Sequence, residues 1–309
     1  MKRELEEILS RYAETLPGKL GAGVRDLMTG EEAFLNADVP FPSASVFKVP
    51  VLAALFQRAE DGALNLDDPY VLREDDLAPG SGVLSLLTPG LTMRVRDYAM
   101  LMMIISDNTG ADVCHRLAGL DAIRKTIAGL GLSGTTAELT CRQLVLGLFK
   151  DAPEDMPMAE YLRRADEDSF DLSTKLYDDP AIPNDATTPR DMVRFFTMLC
   201  KGEVVSPAAS RGMMEIMGRC QTNSRIPCLL PDEGPKKAKV IHKTGTLPWV
   251  TNDCGIVLSG GHAYALALFH NSFGAAEADR ESANRADRAL AELSRDIFAV
   301  MTASRPAEK

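Results

Sequence analysis

The spacing of hydrophobic positions predicts secondary structure of different kinds at the start, middle and end of the chain. Residues 2–16 carry apolar side chains on one helical stripe that stops at Pro17-Gly18, which predicts an amphipathic helix. Residues 21–27 and 32–35 flank a short polar turn, as in a β-hairpin. The chain is therefore expected to open as helix, strand, strand.

The middle of the chain has a helical period. It extends from Val46 to about Arg124, and turn-forming residues interrupt it at Gly62, at positions 79–82 and at Pro89-Gly90. Residues 151–185 are acidic, rich in proline and the least regular part of the sequence. One short helix is expected there, at residues 158–164.

Helices and strands alternate in the last third of the chain. Helices are expected from Pro189, behind the capping residue Thr188, and at residues 207–217. Apolar or alternating runs then predict strands at residues 240–244, 253–259 and 263–269. A long helix is expected to close the chain at residues 275–302.

These elements predict a mixed α/β protein of the α+β type, folded as one domain over residues 1–309. The sheet is expected from residues 1–42 and 236–309, flanked by the terminal helices, and a central all-helical subdomain from residues 43–235. The sequence has no internal repeat, low-complexity tract or linker that would divide it into independent domains.

Composition restricts the partners more than the fold. Apolar residues make up 45% and charged residues 25% of the chain, and the mean hydropathy is -0.08, values typical of a soluble globular protein. The net charge of -10 repels nucleic-acid phosphates and anionic lipid surfaces. We therefore expect a small-molecule substrate, and neither nucleic acid nor a membrane as a partner.

The location of the protein follows from its start and its longest apolar run. Met1-Lys2-Arg3 is followed by glutamates rather than by an apolar stretch, which is not a secretory signal. The apolar run near residues 98–105 is too short for a membrane span. As written, the chain predicts a cytoplasmic protein, or a secreted or periplasmic one if a leader was trimmed.

Cysteine and histidine usage argues against a metal. The six cysteines include no CxxC pair, which indicates free buried thiols. The four histidines form no HxH or HExxH motif, and no Cys/His spacing resembles a zinc site. We expect no metal and no cofactor, which disfavours a metallohydrolase.

Ser45-Val46-Phe47-Lys48 places a serine and a lysine one helical turn apart. On a helix this offset moves about 4.5 Å along the axis, so the lysine amine can lie over the serine hydroxyl. A serine becomes a nucleophile when a neighbour takes its proton, and a lysine does so when its pKa is lowered. The alternative is an N-cap serine beside a surface lysine. Pro50 is compatible with a helix here because it falls near the first turn.

Two further motifs follow along the chain. Ser106-Asp107-Asn108 lies between two helical patterns, where its polar side chains either project towards a site or only cap the second helix. Lys243-Thr244-Gly245-Thr246 ends an apolar strand, either as a carboxylate-binding edge whose glycine leaves room for a ligand or as a plain strand end. The order Ser-x-x-Lys, Ser-Asp-Asn, Lys-Thr-Gly is far more specific than any one motif.

With the motifs in this order, nearly the whole chain resembles the class A, serine-type branch of the β-lactamase and penicillin-binding protein superfamily. Phe41-Pro42 before Ser45 and Val49 after Lys48 are similar to the nucleophile segment of that family. Other segments that resemble the family are Thr187-Thr188-Pro189-x-x-Met192, after its Ω-loop, and Asn252-Asp253, after its third motif. The resemblance implies a β-lactamase/transpeptidase-like fold with an antiparallel sheet.

The resemblance also implies a role for each motif residue. Ser45 attacks a lactam carbonyl with Lys48 as the base, and the backbone amides of Ser45 and Thr246 hold the oxyanion. Ser106 passes a proton to the departing ring nitrogen, and Asn108 orients Lys48 and the amide of the substrate side chain. The strand residues expected to bind the substrate, chiefly through its carboxylate, are Lys243, Thr244 and Gly245, together with Thr246.

One departure from the family concerns release of the product. The Ω-loop of the family carries Glu-x-x-Leu-Asn, whose Glu activates the deacylating water, and nothing like it precedes Thr187. The corresponding stretch, residues 173–180, offers Asp178 or Asp179, either as a substitute base or as ordinary solvated carboxylates. Without a base, acylation proceeds and deacylation is slow, as in a penicillin-binding enzyme.

Three smaller expectations complete the sequence reading. His242 is interpreted as a strand residue that faces away from the site, and Asp185 is expected to pair with an arginine such as Arg142. The string Gly129-x-Gly131-x-x-Gly134 matches a dinucleotide-binding fingerprint, but it follows a helical pattern rather than a strand, so we interpret it as a helix C-cap and turn.

Three functions remain open. The first is a serine β-lactamase, which the Lys-Thr-Gly-Thr segment and Asn108 favour. The second is a D-alanyl peptidase or a hydrolase of small esters or amides that uses the same site. The third is a protein that binds β-lactams or muropeptides without catalysis, or that deacylates slowly.

Overall fold

The computed structural model describes residues 1–149, 152–153, 156–166, 185–273 and 280–303. The helices in these segments are α1 (Lys2–Thr15), α2 (Lys48–Glu60), α3 (Val95–Ile104), α4 (Asn108–Ala118), α5 (Leu120–Gly129), α6 (Cys141–Leu146), α7 (Met158–Asp166), α8 (Pro189–Lys201), α9 (Pro207–Met217) and α10 (Arg280–Met301). The strands are β1 (Lys19–Asp26), β2 (Glu32–Leu35), β3 (Phe41–Pro42), β4 (Pro69–Val71), β5 (Thr92–Arg94), β6 (Ala186–Thr187), β7 (Lys239–Leu247), β8 (Val250–Ser259) and β9 (His262–Asn271).

The chain forms two compact units. Unit 1 comprises Met1–Val46, Leu132–Thr135 and Thr187–Lys309, and unit 2 comprises Phe47–Gly131 and Thr136–Ala186.

Unit 1 is built on an antiparallel sheet with the strand order β2-β1-β9-β8-β7. Successive strand residues point to opposite faces of a sheet, and β1 shows the result. Its Leu20, Ala22 and Val24 belong to a buried core with residues of α1 and α10. On the opposite face, a Cβ on Gly23 would lie 2.9 Å from Val193 Cγ2 of α8. The sheet is therefore covered by helices on both faces.

Unit 2 is mainly helical, and α4 lies at its centre. This helix contacts α2, α3, α5 and α6, and most of its residues are buried. A helix surrounded on all sides places its polar residues in the interior, where each one needs a hydrogen-bond partner. The partners of Asp107, Asn108 and Asp112, described below, meet this requirement.

The structure confirms most of the predicted elements. The first helix, the hairpin, the short helix after residue 158 and α9 lie where the sequence places them. The strands β7, β8 and β9 are longer than predicted, and β7 continues to Leu247. The middle of the chain also contains an antiparallel pair, β4 and β5, joined at Tyr70↔Met93, which the helical period did not indicate.

Two local predictions are also confirmed. Pro50 lies at the third residue of α2, within the first turn, where the backbone has no intrahelical acceptor for an N–H. The glycine-rich string 129–134 begins at the end of α5, and Gly131 adopts a positive φ of 67°, as a turn after a helix requires. Of the helices that the structure describes, none is both long and apolar enough to span a bilayer.

Candidate active site

Ser45 lies in a 3-10 turn, Ala44–Phe47, that leads directly into α2 at Lys48. The residue before it, Ala44, has a φ of +46°, which is unusual for a residue with a side chain and strains the backbone. Ser45 itself is partly exposed, whereas its neighbours on both sides are buried. The turn therefore presents one hydroxyl at the start of a helix, as the motif predicts.

Lys48 is buried, with none of its side chain exposed. Its Nζ donates to Ser106 O at 2.7 Å and to Asn108 Oδ1 at 2.7 Å, and it lies 3.2 Å from Ser106 Oγ. The alternative of a surface lysine is therefore wrong. Three oxygens of the second motif fix the position of this amine within unit 2.

The second motif joins α3 to α4, and each of its residues has a different task. Ser106 has a φ of +59°, which turns the chain so that its carbonyl and hydroxyl both face Lys48. Asp107 is the N-cap of α4 and accepts from Gly110 N at 2.8 Å, while its other oxygen accepts from the backbone of residues 83 and 84. Asn108 donates from Nδ2 to Pro79 O at 2.7 Å. Asp107 is thus a cap, and its two neighbours hold the lysine.

The third motif lies on β7, beside the serine turn, within unit 1. A Cβ on Gly245 would come 2.5 Å from Ser43 O and 3.2 Å from Ala44 Cβ, so only a glycine lets the strand approach the Ser45 turn this closely. Asn252 of β8 adds a clamp, because its Nδ2 donates to Pro42 O at 2.8 Å. The segment is therefore more than a plain strand end, because β7 is packed against the turn that carries Ser45.

The polar residues of β7 differ in exposure. Lys243 is fully buried and donates from Nζ to Thr244 O at 2.7 Å, while Thr244 is 4% exposed. Thr246 is exposed. The strand thus carries a buried positive charge at Lys243 and, three residues later, an accessible hydroxyl at Thr246. This arrangement is suited to an anionic ligand.

Arg225 is a second buried cation at this strand, and no sequence pattern singled it out. Its Nη2 donates to Thr246 Oγ1 at 2.6 Å, and its Nη1 donates to Gly245 O and Asn252 O. Asp287 accepts from its Nε at 2.7 Å. The guanidinium is 3% exposed and therefore supports the Thr246 hydroxyl from behind.

Asp112 and Cys141 form the surroundings of Lys48 on the side of α6. Asp112 accepts from Cys141 N at 2.6 Å and from Arg142 N at 2.9 Å, and burial raises its pKa to about 6. The Cys141 thiol is in hydrogen-bond contact with Lys48, and burial raises its pKa. The α6 residue that touches the amine is therefore an uncharged thiol at neutral pH.

The remaining predicted residues are Asp178, Asp179 and Asp185. Asp178 and Asp179, the candidate deacylation bases, lie outside the described residues. The expected Asp185–Arg142 pair is wrong: Asp185 Oδ1 accepts from the backbone N–H of residues 138 and 139 at 2.7 and 3.1 Å, because this carboxylate anchors a loop. The Arg142 guanidinium donates instead to Leu77 O and Met156 O.

His242 precedes Lys243 and points to the other face of β7, as the alternation of a strand requires. Its Nδ1 lies 2.9 Å from Asp253 Oδ1. Within the described residues, His, Cys, Asp and Glu side chains form no group of three that could hold a metal ion.

Comparisons with known proteins identify the family to which the three motifs point. Residues 1–301 match the model of the Beta-lactamase enzyme family. The chain belongs to this family. The resemblance stated from the motifs is thereby confirmed, and so is the serine β-lactamase fold.

Known β-lactamases and a penicillin-binding protein are similar to this chain at low sequence identity. A β-lactamase of Rhodobacter capsulatus is 24% identical over 298 residues, which cover 96% of this chain and 88% of that protein. A solved β-lactamase of Sphaerobacter thermophilus superposes with a TM-score of 0.78 at 25% identity, covering 99% of this chain and all of that one. The structure of PBP-A gives a TM-score of 0.74 at 23% identity, covering 97% and 96% of the two chains.

Proposed function

We propose that this protein is a serine hydrolase that opens β-lactam rings through an acyl-enzyme on Ser45. The observation that carries the proposal is the buried Lys48 amine, tied to Ser106 and Asn108 one helical turn after a partly exposed serine. A buried amine with fixed acceptors is suited to exchange a proton with a hydroxyl. Membership of the β-lactamase family supports the same activity.

Acylation begins with the Ser45 hydroxyl. In the proposed step its Oγ forms a bond to the lactam carbonyl carbon, and its proton passes to an uncharged Lys48. The carbonyl oxygen becomes an oxyanion held by the backbone N–H groups of Ser45 and Thr246, each worth about 3 kcal/mol in enzymes of this kind. The approach of Gly245 to the Ser43–Val46 turn supports this pairing, because it places both N–H groups on adjacent backbone segments.

The proton then has to reach the departing nitrogen. The carbonyl carbon–nitrogen bond breaks, and Ser106 donates its hydroxyl proton to the nitrogen while it receives one from Lys48. The distance of 3.2 Å between Lys48 Nζ and Ser106 Oγ supports this route. Ser45, Lys48 and Ser106 therefore form the proposed proton path.

Substrate binding is assigned to the strand edge. Lys243, Thr244 and Thr246 are proposed to bind the substrate carboxylate, with Arg225 behind Thr246 and Gly245 leaving room for the ligand. Asn108 is proposed to bind the side-chain amide of the substrate through its Oδ1 edge, beside Lys48. From the two cations at this strand, Lys243 and Arg225, we expect a preference for anionic β-lactams.

The surroundings of Lys48 favour a second candidate, a penicillin-binding enzyme that is acylated but deacylates slowly. The α6 side chain in contact with Lys48 is the Cys141 thiol, whose raised pKa keeps it protonated at neutral pH, so it cannot accept a proton there. The oxygens of Asp112 are occupied by backbone N–H groups. A D-alanyl peptidase or a small ester or amide hydrolase would use the same acylation machinery.

Asp178 and Asp179 remain the proposed sources of a deacylation base. If Asp179 has this role, Asp179→Asn prolongs the lifetime of the acyl-enzyme, whereas an unchanged lifetime removes Asp179 from the proposal. Asp178→Asn tests the other carboxylate in the same way.

A chromogenic cephalosporin distinguishes the candidates. Continuous release of colour by the wild-type protein supports a β-lactamase, and a burst of one equivalent per protein supports slow deacylation. Ser45→Ala is expected to abolish either signal, while the matched control Ser43→Ala, which removes a buried hydroxyl two residues away, retains it. Colour release by Ser45→Ala equal to that of the wild type would overturn the proposal, as would the absence of both burst and turnover.

A further inference from the structure

A cysteine, a histidine and an aspartate meet in unit 1 on the face of β7 opposite to Lys243. The Cys220 thiol, just beyond the end of α9, interacts with the imidazole of His242 on β7, and this interaction lowers the pKa of the thiol. The His242 Nδ1 lies 2.9 Å from Asp253 Oδ1 on β8. The hydrolase proposed above uses none of these three side chains.

Each member of this cluster is held in place by another contact. Asp253 Oδ2 accepts from Ile226 N at 3.0 Å, so the carboxylate that orients the imidazole is itself fixed. The His242 Nε2 lies 3.3 Å from Asn223 Oδ1. The relation of base to orienting carboxylate is the one that activates a nucleophile in enzymes.

The charges of the cluster favour a thiolate. Burial by itself lowers the pKa of His242, but the charge and hydrogen bond of Asp253 outweigh it and raise that pKa to about 10. Burial by itself raises the pKa of Cys220, but the hydrogen bond and charge of His242, with Lys243 beyond it, lower that pKa below its ordinary value. The charged groups that act on the thiol are therefore His242 and Lys243 of β7, with Asp253 of β8 acting through the imidazole.

The thiol is also accessible. Cys220 is partly exposed, and it lines an open cleft of about 830 Å³. The walls of this cleft include Gly218, Asn223, Cys228, Asp232, Lys237 and Lys239. The two lysines and one aspartate leave a positive balance at the mouth of the cleft, which favours a ligand with negative charge.

We propose that Cys220, with His242 and Asp253, is a thiol modification site that takes small disulfides carrying carboxylate groups. The Cys220 thiolate attacks one sulfur of the disulfide, a new sulfur–sulfur bond forms, and the disulfide bond of the ligand breaks. The second half of the ligand leaves as a thiolate with the electron pair of the broken bond. The ligand is the oxidant, so no further reactant is needed.

The other cysteines provide internal controls. Cys228 is exposed in the same cleft, Cys200 is partly buried, and burial raises the pKa of the Cys200 thiol. Cys114, Cys141 and Cys254 are buried. The Cys228→Ser protein therefore reports on Cys220, and the Cys220→Ser protein reports on Cys228.

The test is the rate of reaction with 5,5′-dithiobis(2-nitrobenzoate), a disulfide with two carboxylates, at pH 6 and pH 8. For an ordinary thiol of pKa about 8.5, the thiolate fraction and the rate fall roughly 80-fold between these values. We expect a clearly smaller fall for the Cys228→Ser protein, which reports on Cys220, than for the Cys220→Ser protein. Peptide mapping by mass spectrometry is expected to find the mixed disulfide on Cys220.

Two further variants separate the contributions. His242→Gln in the Cys228→Ser protein is expected to restore the steep fall of the reaction rate between pH 8 and pH 6. If this double variant does not fold, the comparison of the two single cysteine variants still tests the proposal. Ser45→Ala is expected to leave the thiol reaction unchanged, so the outcome is independent of the proposed hydrolase. A parallel fall in both cysteine variants, or an adduct that maps elsewhere than Cys220, would overturn the proposal.

Discussion

The carboxyl group of Asp185 makes the stability of the folded protein depend on pH. Its side chain is fully buried. Oδ1 accepts two backbone N–H groups, and Oδ2 meets no hydrogen-bond partner in the part of the chain that the structure describes. Burial raises the pKa of Asp185 from 3.8 to about 7. Between these pH values the unfolded chain loses this proton while the folded protein keeps it.

The sign and size of the effect follow from this difference. Below about pH 4 the carboxyl group is protonated in both the folded and the unfolded state, so the raised pKa does not change the free energy of unfolding. As the pH rises to about 7, the free energy of unfolding falls progressively, because only the unfolded chain releases the proton. About three pH units at 1.36 kcal/mol per unit give at most about 4 kcal/mol. In Asp185→Asn the amide oxygen retains both backbone bonds and carries no charge, and its unpaired NH₂ group adds a cost of about 1–3 kcal/mol that does not change with pH.

The measurement is urea unfolding of both proteins at pH 4.5, 6, 7 and 8, followed by circular dichroism. The free energy of unfolding of Asp185→Asn is expected to rise relative to wild type by about 3 kcal/mol from pH 4.5 to pH 8. Asp38→Asn is the control, because Asp38 is exposed and Arg190 lowers its pKa, so any trend there has the opposite sign. Parallel pH profiles for wild type and Asp185→Asn would refute the reasoning.

Three further predictions concern the site and its support. Arg225→Gln is expected to reduce kcat/KM for an anionic cephalosporin by roughly ten- to a hundredfold, mainly through KM, since the support of Thr246 and the nearby charge are lost; steady-state kinetics measure this. Asp107→Ala removes the acceptor of three backbone N–H groups and is expected to lower the free energy of unfolding by about 3 kcal/mol in urea titrations. Gly82→Ala brings a Cβ to 2.3 Å from Asp107 Cγ, whereas Gly90→Ala, at a similar positive φ, meets nothing within 4 Å. The first is therefore expected to lower Tm clearly more than the second.

The position of each motif on its turn, helix break or strand could be predicted because it is encoded locally. Ser45 and Lys48 are one helical turn apart, and a turn of this kind allows few arrangements. Ser106 and Asn108 stand at a break between two helical patterns, where polar side chains have to find partners. A glycine such as Gly245 within a strand pattern indicates that another backbone segment approaches the strand closely. In the structure the carbonyl oxygen of Ser43 lies at that point.

Other contacts could not be predicted because they depend on residues far apart in the sequence. Arg225 lies in an irregular segment, and its acceptors are the backbone oxygens of Gly245 and Asn252. Every residue has a backbone oxygen, so the sequence around Gly245 and Asn252 does not indicate that a guanidinium binds there. The pairing of β7 with β8 brings His242 to Asp253, although eleven residues separate them.

Asp185 shows how a predicted ion pair can fail. The sequence predicted that this carboxylate closes a loop by pairing with an arginine such as Arg142. In the fold, two backbone N–H groups satisfied one oxygen of Asp185, and the Arg142 guanidinium bonded to backbone carbonyls. Backbone groups compete with side chains for every buried charge, and a sequence pattern does not include them.

The role of Ser45 as the nucleophile is tested most directly by acid-quenched mass spectrometry. The protein is mixed with a β-lactam, quenched within seconds, and analysed as intact mass and as peptides. We expect a mass increase equal to one β-lactam, located on Ser45 and absent from Ser45→Ala. An adduct on another residue, or an equal adduct on Ser45→Ala, would contradict the proposed acyl-enzyme.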